Sequence, residues 1–246
     1  MGPASLTRYD GLSAAEVERL TGAPLVLLPP SLPSTQDEVH ALGAAGAPSG
    51  AVVLADAQTA GRGRQGRTWH SPARGGVWLS LLLRPAQPPE GGALAIRAGL
   101  AAVAALREVA PTVPAFLRWP NDLVIADRKA GGILCEARRN AQGVAWVAVG
   151  VGLNVAGPLP EAVRERAVAL ADVAPGVSRL AFVAAVVPRL RALEPLPPGL
   201  TSEERRAFLR AQWHGDGAEE GVDLDADGAL LVRTATGALD RRVSAP

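Results

Sequence analysis

The sequence predicts an α+β protein built around a β-sheet. Strand-like runs rich in Val, Ile and Leu occur in bunches, and helical segments separate the bunches. This order differs from the regular alternation of strand and helix in a doubly wound parallel sheet. With 246 residues and 48% hydrophobic content, the chain can bury a sizeable core in one large domain, with or without a small appendage.

Helices are predicted where apolar residues recur at helical spacing behind a capping residue. In the first helix, Ser13 is followed three places on by Glu16, which is the spacing of a capping box. The third is rich in alanine, and the proline-rich link LEPLPPGL separates the last two. The predicted helices are 11–20, a segment from Ser34 or Thr35 to 46, 93–110, 161–172, 178–193 and 201–213.

Strands are predicted for short apolar runs that are bounded by turn residues. They are residues 51–55, 76–84, 116–119, 123–126, 132–137 and 145–155. Short β runs also surround Asp227-Gly228, a strong hairpin signal near the C-terminus. We therefore expect two units, residues 1–213 and residues 214–246.

Charge and composition exclude several classes of function. With 25 basic and 24 acidic residues, the net charge of +1 argues against a chain-wide grip on nucleic acid or an anionic membrane. Neither a signal peptide nor a membrane-spanning run is evident, so a cytoplasmic protein is expected, with no membrane partner. The single cysteine, Cys135, reads as a buried strand thiol, and His40, His70 and His214 lack metal-ligand spacing, so no metal ligands are assigned.

The basic residues of the chain are almost all arginine. Lys129 is the only lysine, and the other 24 of the 25 basic residues are arginine. Arginine is a planar fork and lysine a compact point charge, so a lone lysine suggests a position where the fork does not fit. Chance remains the alternative.

An arginine-glycine loop, GRGRQGRTW at residues 61–69, matches the pattern G-x-G-x-x-G. A dinucleotide site needs that pattern to open a helix, whereas RTWHSPARGG follows here. A P-loop is excluded because no Gly-Lys-Ser/Thr follows. The loop offers backbone N–H groups and guanidinium groups to phosphate or carboxylate oxygens. A solvated turn, or one that contacts RNA, would have the same composition.

Four further groups of residues stand out, and the first two have ordinary explanations when each is taken separately. Arg118-Trp119-Pro120-Asn121-Asp122 has the composition of a β-turn, and Ser34-Thr35-Gln36-Asp37 that of a helix cap. Lys129 precedes Gly131 and Gly132, which let a backbone approach a ligand closely. Gly150-Val151-Gly152-Leu153-Asn154 ends an apolar strand with an amide side chain.

Together and in this order, these blocks resemble the motifs of biotin-protein ligases, over roughly residues 25–195. The resemblance implies a mixed-sheet catalytic domain related to class II aminoacyl-tRNA synthetases and lipoyl ligases, followed by a small SH3-like β domain. It also implies that biotin and ATP form biotinyl-5′-AMP, with Mg²⁺ present, and that a lysine of a biotin carboxyl carrier protein then takes the biotin. In the first step two anions meet, which explains a site rich in cations.

The resemblance also implies roles for individual residues. Lys129 and Arg64 are the predicted catalytic residues, near the biotinyl carboxylate and the α-phosphate. Ser34, Thr35, Gln36 and Gln58 would line the biotin ring pocket, and Trp69 would lie against adenine. Arg118, Asn121, Asp122 and Asn154 would lie near ribose, phosphates and Mg²⁺. The remaining predicted ligand-binding residues are Gly61, Arg62, Gly63, Gln65, Arg67 and Gly132.

The sequence departs from the pattern of biotin-protein ligases in two places. That family usually carries lysine where this chain has Arg118, and residues 214–246 are short for a complete SH3-like barrel. A lipoyl or octanoyl ligase or transferase of similar fold is the main alternative, and a non-enzymatic nucleic-acid binder is the third. Few residues precede the motifs, so specific DNA binding is not expected. A homodimer is left open.

Overall fold

A computed structural model describes residues 8–141, 143–194, 197–216, 221–234 and 236–243. The α-helices of this part of the chain are α1 (Ala14–Thr21), α2 (Thr35–Ala44), α3 (Ala93–Val109), α4 (Arg179–Arg191) and α5 (Ser202–Ala211). The strands are β1 (Val26–Leu27), β2 (Ser31–Leu32), β3 (Val52–Ala55), β4 (Ala57–Gln58), β5 (Gly76–Leu83), β6 (Ala115–Arg118), β7 (Asp122–Ile125), β8 (Arg128–Asn140), β9 (Gly143–Asn154), β10 (Gly221–Leu224), β11 (Leu230–Arg233) and β12 (Leu239–Arg242).

A seven-stranded sheet forms the centre of the fold, in the order β1-β3-β5-β9-β8-β7-β6. Only the pair β1–β3 is parallel, and the other neighbouring strands of this sheet run antiparallel. The predicted α+β class with a mixed sheet is therefore confirmed. Strands β6 to β9 pair with their neighbours in sequence, and β9 also pairs with β5. These pairings bring the motif residues into one region of the sheet.

The core lies on both faces of this sheet. Side chains of a strand alternate between faces, and in β3 Val52 and Leu54 join the larger core while Val53 joins a smaller one. Helices α3 and α4 cover the larger side, and α2 packs on β5 and β9. Because β5 is covered on both faces, all eight of its residues are buried.

Helix starts follow the local signals in the sequence. The Ser13 backbone N–H donates to Glu16 Oε2 at 2.7 Å, which confirms the capping box of α1. Ser34 caps α2, because its side chain accepts from the Gln36 N–H at 3.3 Å. This cap also faces Ser34, Thr35 and Gln36 toward the sheet, where all three are buried.

The predicted helix at 161–172 is wrong. Only two three-residue 3-10 turns form there, Glu161–Val163 and Leu170–Asp172. Between them the backbone pairs with Lys129, whose N–H donates to Arg166 O at 2.8 Å and whose carbonyl accepts from Val168 N–H at 3.0 Å. Those backbone groups are thus satisfied by β8 rather than by a helical turn. The two-residue strands β1, β2 and β4 were also not predicted.

Near the C-terminus, β10, β11 and β12 form a three-stranded antiparallel sheet, as expected of an SH3-like segment. The predicted hairpin at Asp227-Gly228 joins β10 to β11, and Gly228 adopts φ 85°, which glycine accommodates without strain. In the described parts of the chain, no helix is long and apolar enough to cross a membrane.

Candidate functional site

A cavity of about 610 Å³ opens on one face of the sheet. Its walls come from the start of α2, strands β5, β8 and β9, the arginine-glycine loop 61–69, the turn at 120–122 and the segment 159–167. The sequence-predicted site residues that line it are Ser34, Thr35, Gln36, Gln58, Arg62, Gly63, Arg64, Gln65, Arg67, Trp69, Asn121, Asp122, Lys129, Gly132 and Asn154. The fold thus brings together residues, such as Ser34 and Asn154, that lie more than a hundred positions apart in the sequence.

Two predicted residues, Gly61 and Arg118, lie outside the lining. The Gly61 carbonyl accepts from Trp69 N–H at 2.8 Å, and a Cβ atom on Gly61 would lie 2.5 Å from Trp69 O. Gly61 therefore allows the two arms of the loop to meet. Arg118 turns away from the cavity, because its guanidinium binds Asp122 and lies over the ring of Trp213.

One end of the cavity carries a directed chain of hydrogen bonds. Thr35 N–H and Oγ1 both donate to Gln58 Oε1, at 2.8 and 3.1 Å, and Gln58 Nε2 donates to Ser71 Oγ at 2.8 Å. Ser71 in turn donates to Trp69 O at 3.2 Å. Since the Thr35 hydroxyl proton is used on Gln58, Ser80 is the donor in its 2.8 Å bond to Thr35. Ser80 Oγ is left with acceptor capacity in the cavity.

The same end holds an unpaired acceptor. Gln36 is only 4% exposed, and its Nε2 donates to Leu134 O at 3.2 Å. Its Oε1 is buried and has no hydrogen-bond partner among the described residues. Gly150 makes room for this side chain, since a Cβ atom there would lie 3.2 Å from Gln36 Cδ. A buried acceptor without a donor is costly, so this end favours a ligand that brings N–H groups.

The arginine-glycine loop folds back on itself as a narrow hairpin. Arg62 pairs with Thr68, and Gly63 N–H donates to Arg67 O at 2.7 Å. At the tip, Gln65 and Gly66 have φ values of 56° and 71°, the left-handed region. The hairpin carries three guanidinium groups around the cavity mouth, and burial lowers the pKa of the Arg64 guanidinium from its ordinary value. A desolvated cation of this kind is stabilised by an anionic ligand.

Lys129 lies at the centre of the other end of the cavity. Its ammonium is 2.6 Å from Asp122 Oδ1 and 5.3 Å from the centroid of the Trp69 ring. Trp69 lies against Gly152, where a Cβ atom would come within 2.7 Å of the indole Nε1. Arg64 reaches this end from the loop, with its Nη1 donating to Asn121 Oδ1 at 3.3 Å. Cations from the loop and the sheet therefore converge on one place.

Sequence reasoning missed several lining residues. Ser80 is the most informative, because a lone hydroxyl in the apolar strand GVWLSLLL was a signal of a special role. Val163 and Ala167 were assigned to a helix, and together with Leu159 they instead give the cavity an apolar wall, in which Ala167 pairs with Lys129. Cys135 lies in β8, as expected, and burial raises its thiol pKa to about 12, so the thiol stays protonated.

Arg62 is held by two carboxylates at the base of the loop. Its Nη1 lies 2.7 Å from Asp37 Oδ2, and its Nη2 lies 3.4 Å from Glu136 Oε2. Behind Glu136, His40 Nε2 donates to Oε2 at 3.2 Å while His40 Nδ1 accepts from Trp146 Nε1 at 3.0 Å. The hydrogen bond from His40 lowers the pKa of Glu136, and the bond from Arg62 lowers that of Asp37.

We expect Glu136→Gln to loosen the loop in the ligand-free protein. Losing one partly exposed ion pair removes up to about 1 kcal/mol, so trypsin should cleave after Arg64 and Arg67 about two- to fivefold faster. Glu38→Gln, on the same helix as Asp37, is the matched control and should not change cleavage.

Because the pKa values of both Asp37 and Glu136 are depressed, their ion pairs with Arg62 persist above the ordinary carboxyl pKa of about 4. Hydrogen exchange of the loop should therefore be constant from about pH 8 to 5 after correction for intrinsic rates, and a rise within that range would contradict the assignment.

Several known proteins are similar to this chain in sequence or in structure. The bifunctional ligase/repressor BirA of Bacillus subtilis is 43% identical over 125 residues, which are 50% of this chain and 38% of that protein. A biotin–[acetyl-CoA-carboxylase] ligase of Mycobacterium tuberculosis is 38% identical over 156 residues, 60% of this chain and 56% of that protein. The match thus spans only about half, or less, of these curated relatives. The biotin protein ligase of Aquifex aeolicus, solved with biotin and ATP, superposes with a TM-score of 0.74 at 26% identity, covering 90% of this chain and 96% of that one.

The fold and the cavity together define an α+β protein with a cavity on one face of a mixed sheet, lined in part by an arginine-rich hairpin. The chain belongs to the biotin/lipoate A/B protein ligase family, whose model matches residues 28–154.

Proposed function

We propose that this chain is an ATP-dependent biotin-protein ligase. It activates biotin to biotinyl-5′-AMP and transfers the biotin to a lysine of a biotin carboxyl carrier protein. The observation that carries the proposal is the buried, unpaired Gln36 Oε1, together with the acceptor Ser80 Oγ, in the lining of one cavity. The ureido ring of biotin offers two N–H donors, whereas lipoate and octanoate offer none at that end. A site with unpaired acceptors rejects a ligand that cannot satisfy them.

The other end of the cavity suits the chemistry of activation. A biotin carboxylate oxygen attacks the α-phosphorus of ATP, a P–O bond forms, and pyrophosphate leaves with the bonding electrons. Both reacting groups are anionic, so Lys129 and Arg64 are proposed to neutralise their repulsion where it develops. In the second step a carrier lysine attacks the acyl carbon, AMP leaves, and the amide forms with loss of a proton. Trp69, with Gly152 beneath it, offers a flat surface for adenine.

Mg²⁺ is proposed to enter with ATP. Asp122 is the one carboxylate among the residues that line the cavity, and its two oxygens already pair with Lys129 and Arg118. Among the described residues, no three His, Cys, Asp or Glu side chains are grouped so as to hold a metal ion. This fits Mg²⁺, which commonly uses one carboxylate together with substrate phosphates and water. Asp122 would hold the ion, and the ion would supply further positive charge.

The decisive experiment mixes the protein with ATP, Mg²⁺ and biotin and measures pyrophosphate release. We expect release that depends on biotin and is absent with lipoate or octanoate. Release with lipoate but not with biotin would establish the alternative activity in this family.

We further propose that residues 1–213 form the catalytic unit, with 214–246 as an appendage, and that the reaction takes place in the cytoplasm.

Arg64→Gly should release the intermediate prematurely. Arg64 belongs to the hairpin over the cavity and bonds Asn121, so its loss opens the enclosure while Lys129 remains in place. We expect the variant to form the adenylate but to biotinylate bystander proteins, because an exposed acyl-adenylate diffuses and reacts with any amine. Western blotting of added albumin for biotin measures this. Arg74→Gly, just beyond the hairpin, is the control, and unchanged albumin labelling with Arg64→Gly would refute a retaining role.

A further inference from the structure

Trp213 lies just after α5 and packs on the outer edge of the main sheet. Its backbone N–H donates to Leu117 O in β6 at 3.1 Å, and its indole Nε1 donates to Asp127 Oδ1 at 2.9 Å in the turn between β7 and β8. The residue is only 6% exposed. Gly215 packs against the ring, since a Cβ atom there would lie 2.2 Å from Trp213 Cζ2. The ring is therefore fixed by contacts on several sides.

Arg118 lies over this fixed ring. Its guanidinium carbon is 5.5 Å from the ring centroid, and its Nη2 is 2.6 Å from Asp122 Oδ2. The other oxygen of the same carboxylate, Oδ1, is 2.6 Å from Lys129 Nζ. One carboxylate thus bridges two cations. Asp122 and Lys129 line the cavity, whereas Arg118 does not.

The geometry explains why arginine is suitable at position 118. A planar guanidinium can stack on an aromatic face and donate hydrogen bonds from its edge at the same time, which a tetrahedral ammonium cannot do. The Arg118 side chain is 39% exposed, so without the ring it would be free to leave Asp122 for solvent. Asp122 would then keep one of its two partners and lose its fixed orientation.

We propose that Trp213 is a positioning residue for Lys129. By stacking on Arg118 it keeps the guanidinium on Asp122, and Asp122 in turn holds the Lys129 ammonium at the reacting end of the cavity. The catalytic consequence rests on the proposed function, but the effect on Lys129 does not. Residues near the C-terminal sheet thereby contribute to the site without touching a ligand.

The lone lysine makes the proposal directly measurable. In the ligand-free chain, Lys129 and the N-terminal amine are the only amines that acetic anhydride can acylate, and the N-terminal amine serves as an internal reference. We expect Trp213→Leu to raise the rate of Lys129 acylation about two- to fivefold relative to that reference, because a cation–π contact at a half-exposed site is worth about that factor. Trp213→Phe keeps an aromatic face for Arg118 while losing the bond to Asp127 and part of the packing on Gly215, so it should stay near the wild-type rate.

A double-mutant cycle tests whether the effect passes through Arg118. Arg118→Gln should raise the rate of Lys129 acylation at least as much as Trp213→Leu does, and the double variant should react little faster than Arg118→Gln alone.

In pyrophosphate release, Trp213→Leu should lower kcat about two- to fivefold and leave biotin affinity unchanged. Unchanged Lys129 acylation in a folded Trp213→Leu protein, or additive effects in the double variant, would overturn the proposal. If Trp213→Leu does not fold, unchanged acylation in Arg118→Gln overturns it instead. Because acylation needs neither biotin nor ATP, its outcome is independent of whether the chain is a biotin ligase.

Discussion

Lys129→Arg should lower the rate of biotin adenylation by about a hundred- to a thousandfold, although the formal charge is unchanged. Loss of one preorganised charge at a developing oxyanion costs about this much. The Lys129 ammonium fits between Asp122 Oδ1 at 2.6 Å and the Trp69 ring at 5.3 Å. A longer, planar guanidinium would push against these two neighbours or into the space that the ligand needs. Biotin-dependent exchange of labelled pyrophosphate into ATP gives the rate.

Arg139→Lys is the matched control for this substitution. It makes the reverse exchange of the same two side chains on an exposed part of β8, and it should leave the rate unchanged. In the wild-type protein, biotin with ATP should protect Lys129 from acylation while the N-terminal amine still reacts. Near-normal adenylation by Lys129→Arg, or equal acylation with and without ligands, would mean that the arginines alone provide the positive charge.

Gln36→Met should weaken biotin binding about ten- to a hundredfold. The thioether fills a similar volume but removes Oε1, so a ureido N–H of the ligand would be buried without an acceptor, a loss of about 1–3 kcal/mol. Calorimetry on the ligand-free protein measures the affinity. Octanoate, which has no N–H at that end, should bind the variant no more weakly than it binds the wild type.

The control for Gln36→Met is the same exchange at the exposed Gln87, which should leave biotin affinity unaltered. A comparison of melting temperatures accounts for the lost bond from Gln36 Nε2 to Leu134 O. If Gln36→Met binds biotin as tightly as the wild type, the unpaired oxygen does not face the ureido ring and does not discriminate biotin from lipoate.

The cations of the site differ in their position relative to the cavity. Arg62 and Arg118 are each bound to carboxylates on the protein, and Arg118, whose proposed role is to orient Asp122, does not line the cavity. Lys129 also binds Asp122, but it lines the cavity, as does Arg64, whose pKa is lowered by burial. Arg64 and Lys129 therefore remain the proposed contacts for an anionic substrate.

Sequence by itself determined the features that depend on neighbours along the chain. The capping box at Ser13, the cap at Ser34 and the turn at Asp227-Gly228, in which the Gly228 N–H donates to Asp225 O, each involve residues three or fewer places apart, so their signals are local. Strands β5 and β9 were predicted from long apolar runs, which are typical of strands that are covered on both faces of a sheet. The resemblance of the polar blocks to the motifs of biotin-protein ligases also implied which residues would meet at one site.

Only the tertiary structure decided which partner each polar group takes. Segment 161–172 has a helical pattern, yet its backbone bonds to Lys129, more than thirty positions earlier, and the gain of those bonds outweighs local propensity. Gln36 Oε1 is left without a donor because Gly150 lets the side chain sink against β9. Arg118 turns to Trp213, ninety-five positions away, because a planar cation stacks on a fixed ring. Such choices depend on distances between remote segments, which folding sets and local sequence patterns do not contain.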